Sequence, residues 1–286
     1  MKNLASPKVL KEILAESGFK FSKSLGQNFL IDENVLEKII SGANIDKSTN
    51  VIEIGPGFGT LTQRLCLNAK KVVAIEIDKT AIPILENNLC DFDNIKIIND
   101  DILKCDLKKI IEDEFGGGRV TIAANLPYYI TTPIIMHILE SRIDAKNLCI
   151  MIQKEVAERI AAKEGTKDYG ALSVAVNYYA IPRMICTVPP SSFIPMPKVS
   201  SAVISLDIRK EPPVAVNSEK GFFKLVKAAF AQRRKTLLNA LANSSAIPMS
   251  KEEISNVLIE CGIDEKRRGE TLTLQDFADI SNRIFD

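Results

Sequence analysis

The order of apolar and polar residues divides the 286-residue chain into two stretches of different character. Up to residue 208, short apolar and β-branched runs alternate with segments of helical period. The runs at 51–54, 71–77, 94–98, 120–125 and 148–153 read as strands, and the segments at 60–67, 81–89, 106–115, 132–140 and 154–162 as the helices after them. These runs are nearly continuous in apolar residues, the pattern of strands buried on both faces of a parallel sheet. Helical patterns also cover 7–16, 33–41 with Asp32 as its cap, and 169–179. Two further β-like stretches, 180–188 and 201–208, are joined by the proline-rich PPSSFIPMPK without a helix, so the last strands are expected to be antiparallel. From residue 217 onward helix-period segments follow one another with no strand signal, and Pro212 and Pro213 mark a linker. The expected architecture is α/β, a doubly wound, mostly parallel sheet over residues 1–210, with a small all-helical domain over 211–286.

Composition narrows the chemistry. Hydrophobic residues make up 46% of the chain and charged residues 26%, as in a soluble protein with a sizeable core. Lys plus Arg (37) almost balances Asp plus Glu (36), so a surface for nucleic acid has to be local. One such place is the N-terminal arm, where residues 1–24 hold five Lys against two Glu. The only histidine is His137 on the helix after residue 130, read as structural or exposed. It excludes a zinc centre built on two or three His ligands and leaves a Ser–His or Cys–His hydrolase dependent on one residue. Cys66, Cys90, Cys105, Cys149, Cys186 and Cys261 form no C-x-x-C pair and read as small apolar residues of a reducing compartment. Residues 1–20 carry frequent charges and no apolar core, unlike a secretory signal. Residues 120–139 are uncharged and long enough to span a membrane. Asn125, Pro127, Tyr128, Tyr129, Thr131, Thr132 and Pro133 would leave polar groups unpaired in lipid, however, so the stretch reads as strand, loop and helix in a cytoplasmic protein.

The first strand of the alternating region ends in EIGPGFGT, residues 53–60. Gly55, Gly57 and Gly59 between a strand and a helix let the backbone approach a ligand closely. Their spacing differs from the G-x-G-x-x-G of nicotinamide dehydrogenases, and no G-x-x-x-x-G-K-[ST] phosphate loop is present. The second strand ends in Glu76-Ile77-Asp78, a carboxylate suited to ribose hydroxyls, and the third is followed by Asp100-Asp101, suited to an exocyclic adenine amine. A ligand with adenine and ribose but no pyrophosphate fits, namely S-adenosylmethionine. After the fourth strand stands Asn125-Leu126-Pro127-Tyr128-Tyr129-Ile130, at the sheet edge where the cofactor crevice lies.

That tetrapeptide, NLPY, resembles the active-site motif of methyltransferases that modify the exocyclic N6 of adenine. With FSKSLGQNFL (21–30), VIEIGPGFGTLT (51–62), NLPYYITTP (125–133), FIPMPKVSSAV (193–203) and FAQRRKTLLNAL (230–241) in this order, the chain resembles the small-subunit ribosomal RNA adenine dimethyltransferase family from about residue 21 to residue 241. The resemblance implies a Rossmann-like fold that uses S-adenosyl-L-methionine as methyl-donor co-substrate, without a metal. It implies that Asn28 and Leu30 close over the donor, that Gly55 and Gly57 pack beneath it, that Glu76 holds the ribose and that Asp101 reads the adenine. The amine of the target base would donate to the Asn125 side-chain oxygen and the Pro127 carbonyl, between Tyr128 on one face of the flipped base and Phe193 on the other.

The resemblance further implies dimethylation of two adjacent adenines in a hairpin near the 3′ end of small-subunit ribosomal RNA, on immature 30S subunits; a monomer is the default expectation. Lys20, Lys23, Arg233, Arg234 and Lys235 are the expected RNA contacts, with Lys266, Arg267 and Arg268 a further basic cluster. Two departures from the family pattern stand out, Tyr129 where many relatives have Asn and Ser22 where a second Lys is common. Two alternatives stay open at this point. One is the related antibiotic-resistance methyltransferase acting on large-subunit RNA. The other is an RNA-binding assembly factor with incidental catalysis.

Overall fold

The computed structural model describes residues 2–19 and 26–285. Its centre is a seven-stranded sheet of β2 (Asn50–Ile54), β3 (Lys71–Glu76), β4 (Ile95–Asn99), β5 (Val120–Asn125), β6 (Ala145–Gln153), β7 (Ala180–Val188) and β9 (Ser201–Ile208), in the order β4-β3-β2-β5-β6-β9-β7. The strands from β4 to β6 run parallel, and β9 pairs antiparallel with β6 from Gln153↔Ser201 to Asn147↔Asp207. The order reverses between β2 and β5, so their carboxyl ends open a crevice in which loops from both can meet. The α/β expectation holds, including the antiparallel closing strand.

The apolar runs are where the pattern puts them: Val51, Ile52, Val72, Val73, Ile122, Leu148 and Ile150 are buried. α2 (Glu33–Gly42) starts at Asp32, whose carboxylate accepts from the Asn34 and Val35 amides, and α3 (Thr60–Asn68) follows the glycine loop. Leu36, Ile39, Leu65 and Val72 share one apolar cluster, while α1 (Pro7–Ser17) and α4 (Ile82–Asn88) supply Leu10, Ile13 and Leu85 to another that includes Phe29 and Phe58. The helices α5 (Leu107–Phe115), α6 (Thr131–Glu140) and α7 (Lys154–Ile160) complete the alternation.

Two strands were not foreseen. β1 (Phe29–Leu30) and β8 (Phe193–Ile194) form a separate antiparallel pair, Phe29 opposite Ile194 and Leu30 opposite Phe193. Two residues are too few to show a period, so only the pairing reveals them.

The domain boundary differs from the expected division after residue 210. One compact unit comprises Met1–Ala157 and Pro182–Ile208, and the other Glu158–Ile181 and Arg209–Asp286. The second unit contains α8 (Ala171–Tyr179), α9 (Glu219–Ala231), α10 (Leu237–Ala242), α11 (Lys251–Glu260) and α12 (Leu274–Ile284). Ser218, Thr236, Ser250 and Thr273 cap the last four with side-chain oxygens. The reason for the shift is aromatic packing. Tyr178 lies 5.1 Å from the Phe222 ring, Tyr179 stacks on Phe223 at 5.6 Å, and the Tyr169 hydroxyl donates to the Leu272 carbonyl at 3.1 Å. Helical period alone shows that α8 is apolar, not which helices it is apolar for.

A chain ended at residue 210 would keep α8 and lose the aromatic surface that covers it. It is expected to bind a hydrophobic dye and to lose the single cooperative transition of the full chain, checked by dye fluorescence and circular dichroism on heating. Unchanged behaviour would return the boundary to residue 210.

Candidate active site

Each wall of the crevice comes from a strand end. β2 delivers Glu53 and then Gly55, whose amide donates to the Ile75 carbonyl at 2.9 Å. Gly55 has a φ of +66°, and a Cβ there would meet nothing within 4 Å, so its missing side chain leaves open space inside the cavity. Gly57 is different: at φ +58° its Cβ would stand 2.7 Å from the Phe29 ring. That ring in turn stacks on Phe58 with centroids 4.3 Å apart. Only glycine lets β1 approach the loop this closely.

β3 delivers Glu76, buried, with Oε2 accepting from the Gly57 amide at 3.0 Å and Oε1 from the Asp78 amide at 2.8 Å. Burial moves this carboxyl above its ordinary pKa, and the two amides oppose the shift. The carboxylate is thus locked in place by backbone, while each oxygen retains acceptor capacity towards the cavity. Asp100 and Asp101 follow β4, with the Asp101 carboxylate oriented by the Leu103 amide at 3.1 Å. Residues 26–28, just before β1, also reach the crevice. Gln27 donates to Asp78 at 2.8 Å, and a Cβ on Gly26 would lie 3.4 Å from the Tyr129 ring.

β5 delivers Asn125. Its Nδ2 donates to the Asn28 carbonyl at 2.9 Å, which leaves Oδ1 as the acceptor end of the carboxamide. Residues 128–130 form a short 3₁₀ turn leading into α6. The Tyr128 hydroxyl shares a 2.6 Å hydrogen bond with the Ser201 hydroxyl, and burial raises its pKa. Asn28, Leu30, Glu53, Gly55, Gly57, Glu76, Asp100, Asp101, Asn125, Pro127 and Tyr128 all line one cavity.

A family model described as ribosomal RNA adenine dimethylase matches residues 18–286. The chain belongs to that family. Within the ribosomal RNA adenine dimethylase family it is 54% identical over 284 residues to the ribosomal RNA small subunit methyltransferase A of Alkaliphilus oremlandii, covering 99% of each chain. It is 52% identical over 284 residues to the protein of the same name from Clostridioides difficile, covering 99% of this chain and 98% of that one. The crystal structure of a dimethyladenosine transferase from Plasmodium falciparum superimposes with a TM-score of 0.75 at 27% identity, over 88% of this chain and 95% of that chain.

A dimethylase of this family uses S-adenosylmethionine, and the cavity suits it on its own features. The open space over Gly55 admits a ligand against the backbone, and the carboxylates of Glu76, Asp100 and Asp101 supply the lining with acceptors for hydroxyl and amine donors. Among the described residues there is no cluster of His, Cys, Asp and Glu that could hold a metal.

Three of the expected site residues are placed otherwise than expected. Phe193 is 2% exposed, sits in the core with Leu30, Val35 and Val203, and does not line the cavity. Its pairing in β8 with Leu30 of β1 accounts for this. The Pro127 carbonyl is already used twice, by the Thr131 hydroxyl at 3.0 Å and the Ile130 amide at 3.3 Å, so both its lone pairs are spent inside the loop. Arg233 donates to the Lys167 and Tyr169 carbonyls and lies 3.6 Å from Glu270, a structural clasp rather than a free cation.

Arg267 is similarly bound, to Thr271 and Asp276, whereas Arg234, Lys235, Lys266 and Arg268 are exposed. Lys20 and Lys23, with Ser22, lie outside the described residues. His137 is partly buried on α6, its Nε2 without a partner.

Two groups beside the Asn125–Tyr128 segment had no sequence signal. The Leu126 amide donates to the Met151 carbonyl at 3.1 Å, and no hydrogen bond among the described residues uses the Leu126 carbonyl. Ser201 was one serine in a longer motif, and only the structure sets it against Tyr128.

Gly57→Ala is expected to destabilise the protein by about 2–4 kcal/mol, combining a non-glycine residue at positive φ with an overpacked contact on Phe29. Denaturant unfolding measures this, and a loss below about 1 kcal/mol would mean that the loop and β1 shift freely.

Proposed function

We infer that this chain transfers methyl groups from S-adenosylmethionine to N6 of two adjacent adenines in the 3′-terminal hairpin of small-subunit ribosomal RNA, acting on assembling 30S subunits. Membership of the dimethylase family and full-length identity above one half to small-subunit methyltransferases support this substrate over large-subunit RNA. The observation that carries the chemistry is the Asn125 carboxamide, tied by its nitrogen to Asn28 at the mouth of the cavity that holds Gly55 and Glu76.

When bound, the donor supplies an electrophilic methyl on a sulfonium. The chain's task is to make a poor nucleophile acceptable. The lone pair of an adenine amine is delocalised into the ring, and hydrogen bonds accepted from its N–H groups favour a pyramidal nitrogen whose lone pair faces the methyl. In our reading Asn125 Oδ1 accepts one of these N–H groups and the Leu126 carbonyl the other, in place of the occupied Pro127 carbonyl. Pro127 has no N–H to compete, and its carbonyl holds Thr131 at the start of α6, which stiffens the turn. Tyr128, anchored by Ser201, offers the stacking face for the extruded base. No described residue needs to act as a general base, because the methylated nitrogen becomes acidic and yields its proton to water.

After one transfer the amine retains a single N–H, so the second transfer proceeds with one of the two acceptors unfilled. The exposed Arg234, Lys235, Lys266 and Arg268 of the second unit, together with Lys20 and Lys23, are the proposed phosphate contacts. Among the described residues no helix is long and apolar enough to cross a membrane, and we read the protein as a cytoplasmic monomer.

Purified protein with labelled donor and unmethylated 30S particles is expected to place label on two neighbouring adenines of the small-subunit RNA. Label on 50S particles alone, or none despite binding, would overturn the assignment. Asn125→Ala should lower kcat by about two orders of magnitude, on the order of 3 kcal/mol for one transition-state hydrogen-bond partner, with unfolding unchanged. Equal turnover would remove Asn125 from the chemistry. Arg234→Ala and Lys235→Ala should each flatten the dependence of log affinity for RNA on log salt by about 0.7–0.9. Arg233→Ala should instead lower the thermal stability of the second unit, and the opposite assignment of effects would reverse these roles.

A further inference from the structure

Tyr128 and Tyr129 are neighbours in the 3₁₀ turn, but their rings go separate ways. With three residues per turn, successive side chains leave the axis about 120° apart. Tyr128 turns toward β9, where Ser201 meets its hydroxyl. Tyr129 turns toward the chain before β1, and its ring lies beside Gly26, where a Cβ would stand 3.4 Å from it. The residue is nonetheless 59% exposed. Among the described residues it is the one exposed aromatic; the other large apolar side chains that stand out are aliphatic chains and methionines. A single exposed Leu or Met is ordinary on any surface. Tyr129 differs in its place, because it lines the same cavity as Asn125 and Tyr128.

RNA meets a particular difficulty at this rim. It is a polyanion, and the described lining holds Glu53, Glu76, Asp100 and Asp101 with no Lys, Arg or His. Phosphates gain nothing by approaching such a mouth, so attraction there has to come from the bases, whose faces are neutral and stack on aromatic rings. Eversion of an adenine also breaks its stack on the flanking base, which is left with one face bare. An exposed ring next to the pocket that receives the everted base is placed to cover that face.

We propose that Tyr129 is a second stacking platform, on which the base flanking the everted adenine rests while Tyr128 faces the everted base itself. This rests on the methyl-transfer reading of the site. With two adjacent targets and a platform on one side, the flanking base in one of the two transfers is the other target adenine. Stacking uses the ring face and not the N6 edge, so the platform accepts that adenine before or after its own methylation. Tyr129 stands where many relatives carry Asn, which makes the platform an addition of this chain and not a requirement of methyl transfer.

Steady-state kinetics with S-adenosylmethionine and unmethylated 30S particles tests this. Tyr129→Ala and Tyr129→Asn should each raise KM for the particles about tenfold, the scale of one lost base–aromatic stack, and change kcat by less than about twofold. Tyr129→Phe keeps the ring and should match the wild type. The slope of log affinity against log salt should stay as it is, since no phosphate contact is removed. Donor affinity by calorimetry should also be unchanged; weaker donor binding would make Tyr129 a cover for the donor and refute the platform. The sharpest comparison uses particles reconstituted with RNA in which one target adenine or the other is abasic, with label counted on the adenine that remains. In one of these two RNAs the wild type should lose about tenfold in KM, and Tyr129→Ala should lose nothing further. Losses that add in both RNAs, or an unchanged KM in Tyr129→Ala, overturn the proposal and leave the methyl-transfer reading standing as long as intact particles are labelled. Absence of label on intact particles overturns both.

Discussion

The hydrogen bond from Nδ2 of Asn125 to the carbonyl of Asn28, 97 residues earlier in the chain, is the constraint on which the site depends. A carboxamide is a donor at one end and an acceptor at the other. If it could turn over, the amine to be methylated would meet N–H groups instead of an oxygen. Asn28 prevents this by occupying the donor end. Several otherwise odd features then have a purpose, because they keep Asn28 in place. The two-residue β1 pairs with β8, Gln27 reaches Asp78 at the end of β3, and Gly26 packs beside Tyr129. The glycine at 57 admits the Phe29 ring that fastens β1 to the donor loop.

The same economy of means explains how one histidine suffices for the whole chain. An amine whose product sheds its proton unaided needs acceptors fixed in position rather than a base. Acceptors can be backbone carbonyls, provided the backbone is stiff. β5 stops at Asn125, the Leu126 amide still bonds to Met151 as the strand would, and Pro127 turns the chain into the 3₁₀ segment. Asn125 and Leu126 therefore belong mechanically to the sheet, and Tyr128 to the turn, where Ser201 at the first residue of β9 restrains its hydroxyl.

What the sequence revealed and what it hid divide along a physical line. That the glycine loop, Glu76, Asp101 and Asn125 meet in one cavity was legible because each follows a strand whose apolar run is unmistakable, and parallel order brings strand ends to one crevice. The burial of Phe193 was not legible because its environment is set by a pair of two-residue strands that leave no period. The bonds to the Pro127 carbonyl were not legible because a carbonyl's availability depends on which neighbours donate to it, and Thr131 and Ile130 do so only once the turn has formed. Arg233 and Arg234 are adjacent in sequence, yet one grips the backbone at Lys167 and Tyr169 while the other stays exposed. A basic run shows that charge is present, not which residue has been drawn into the fold. The inclusion of α8 in the second unit was hidden for a related reason, since the partners of Tyr178 and Tyr179 lie forty or more residues away.

The acidic wall of the cavity bears on turnover as well as binding. The donor enters with a sulfonium, an ammonium and a carboxylate and leaves as a thioether that keeps only the last two. Against Glu76, Asp100 and Asp101, with no cation among the described lining residues, loss of the sulfonium charge removes attraction at the moment the product forms. For one unit charge at about 8 Å and an effective dielectric constant of about 20, the loss is on the order of 2 kcal/mol, or roughly thirtyfold in affinity. Dimethylation of two adenines requires four donor molecules in succession at one cavity. A lining that holds the charged donor more tightly than the spent one favours that exchange without any moving part.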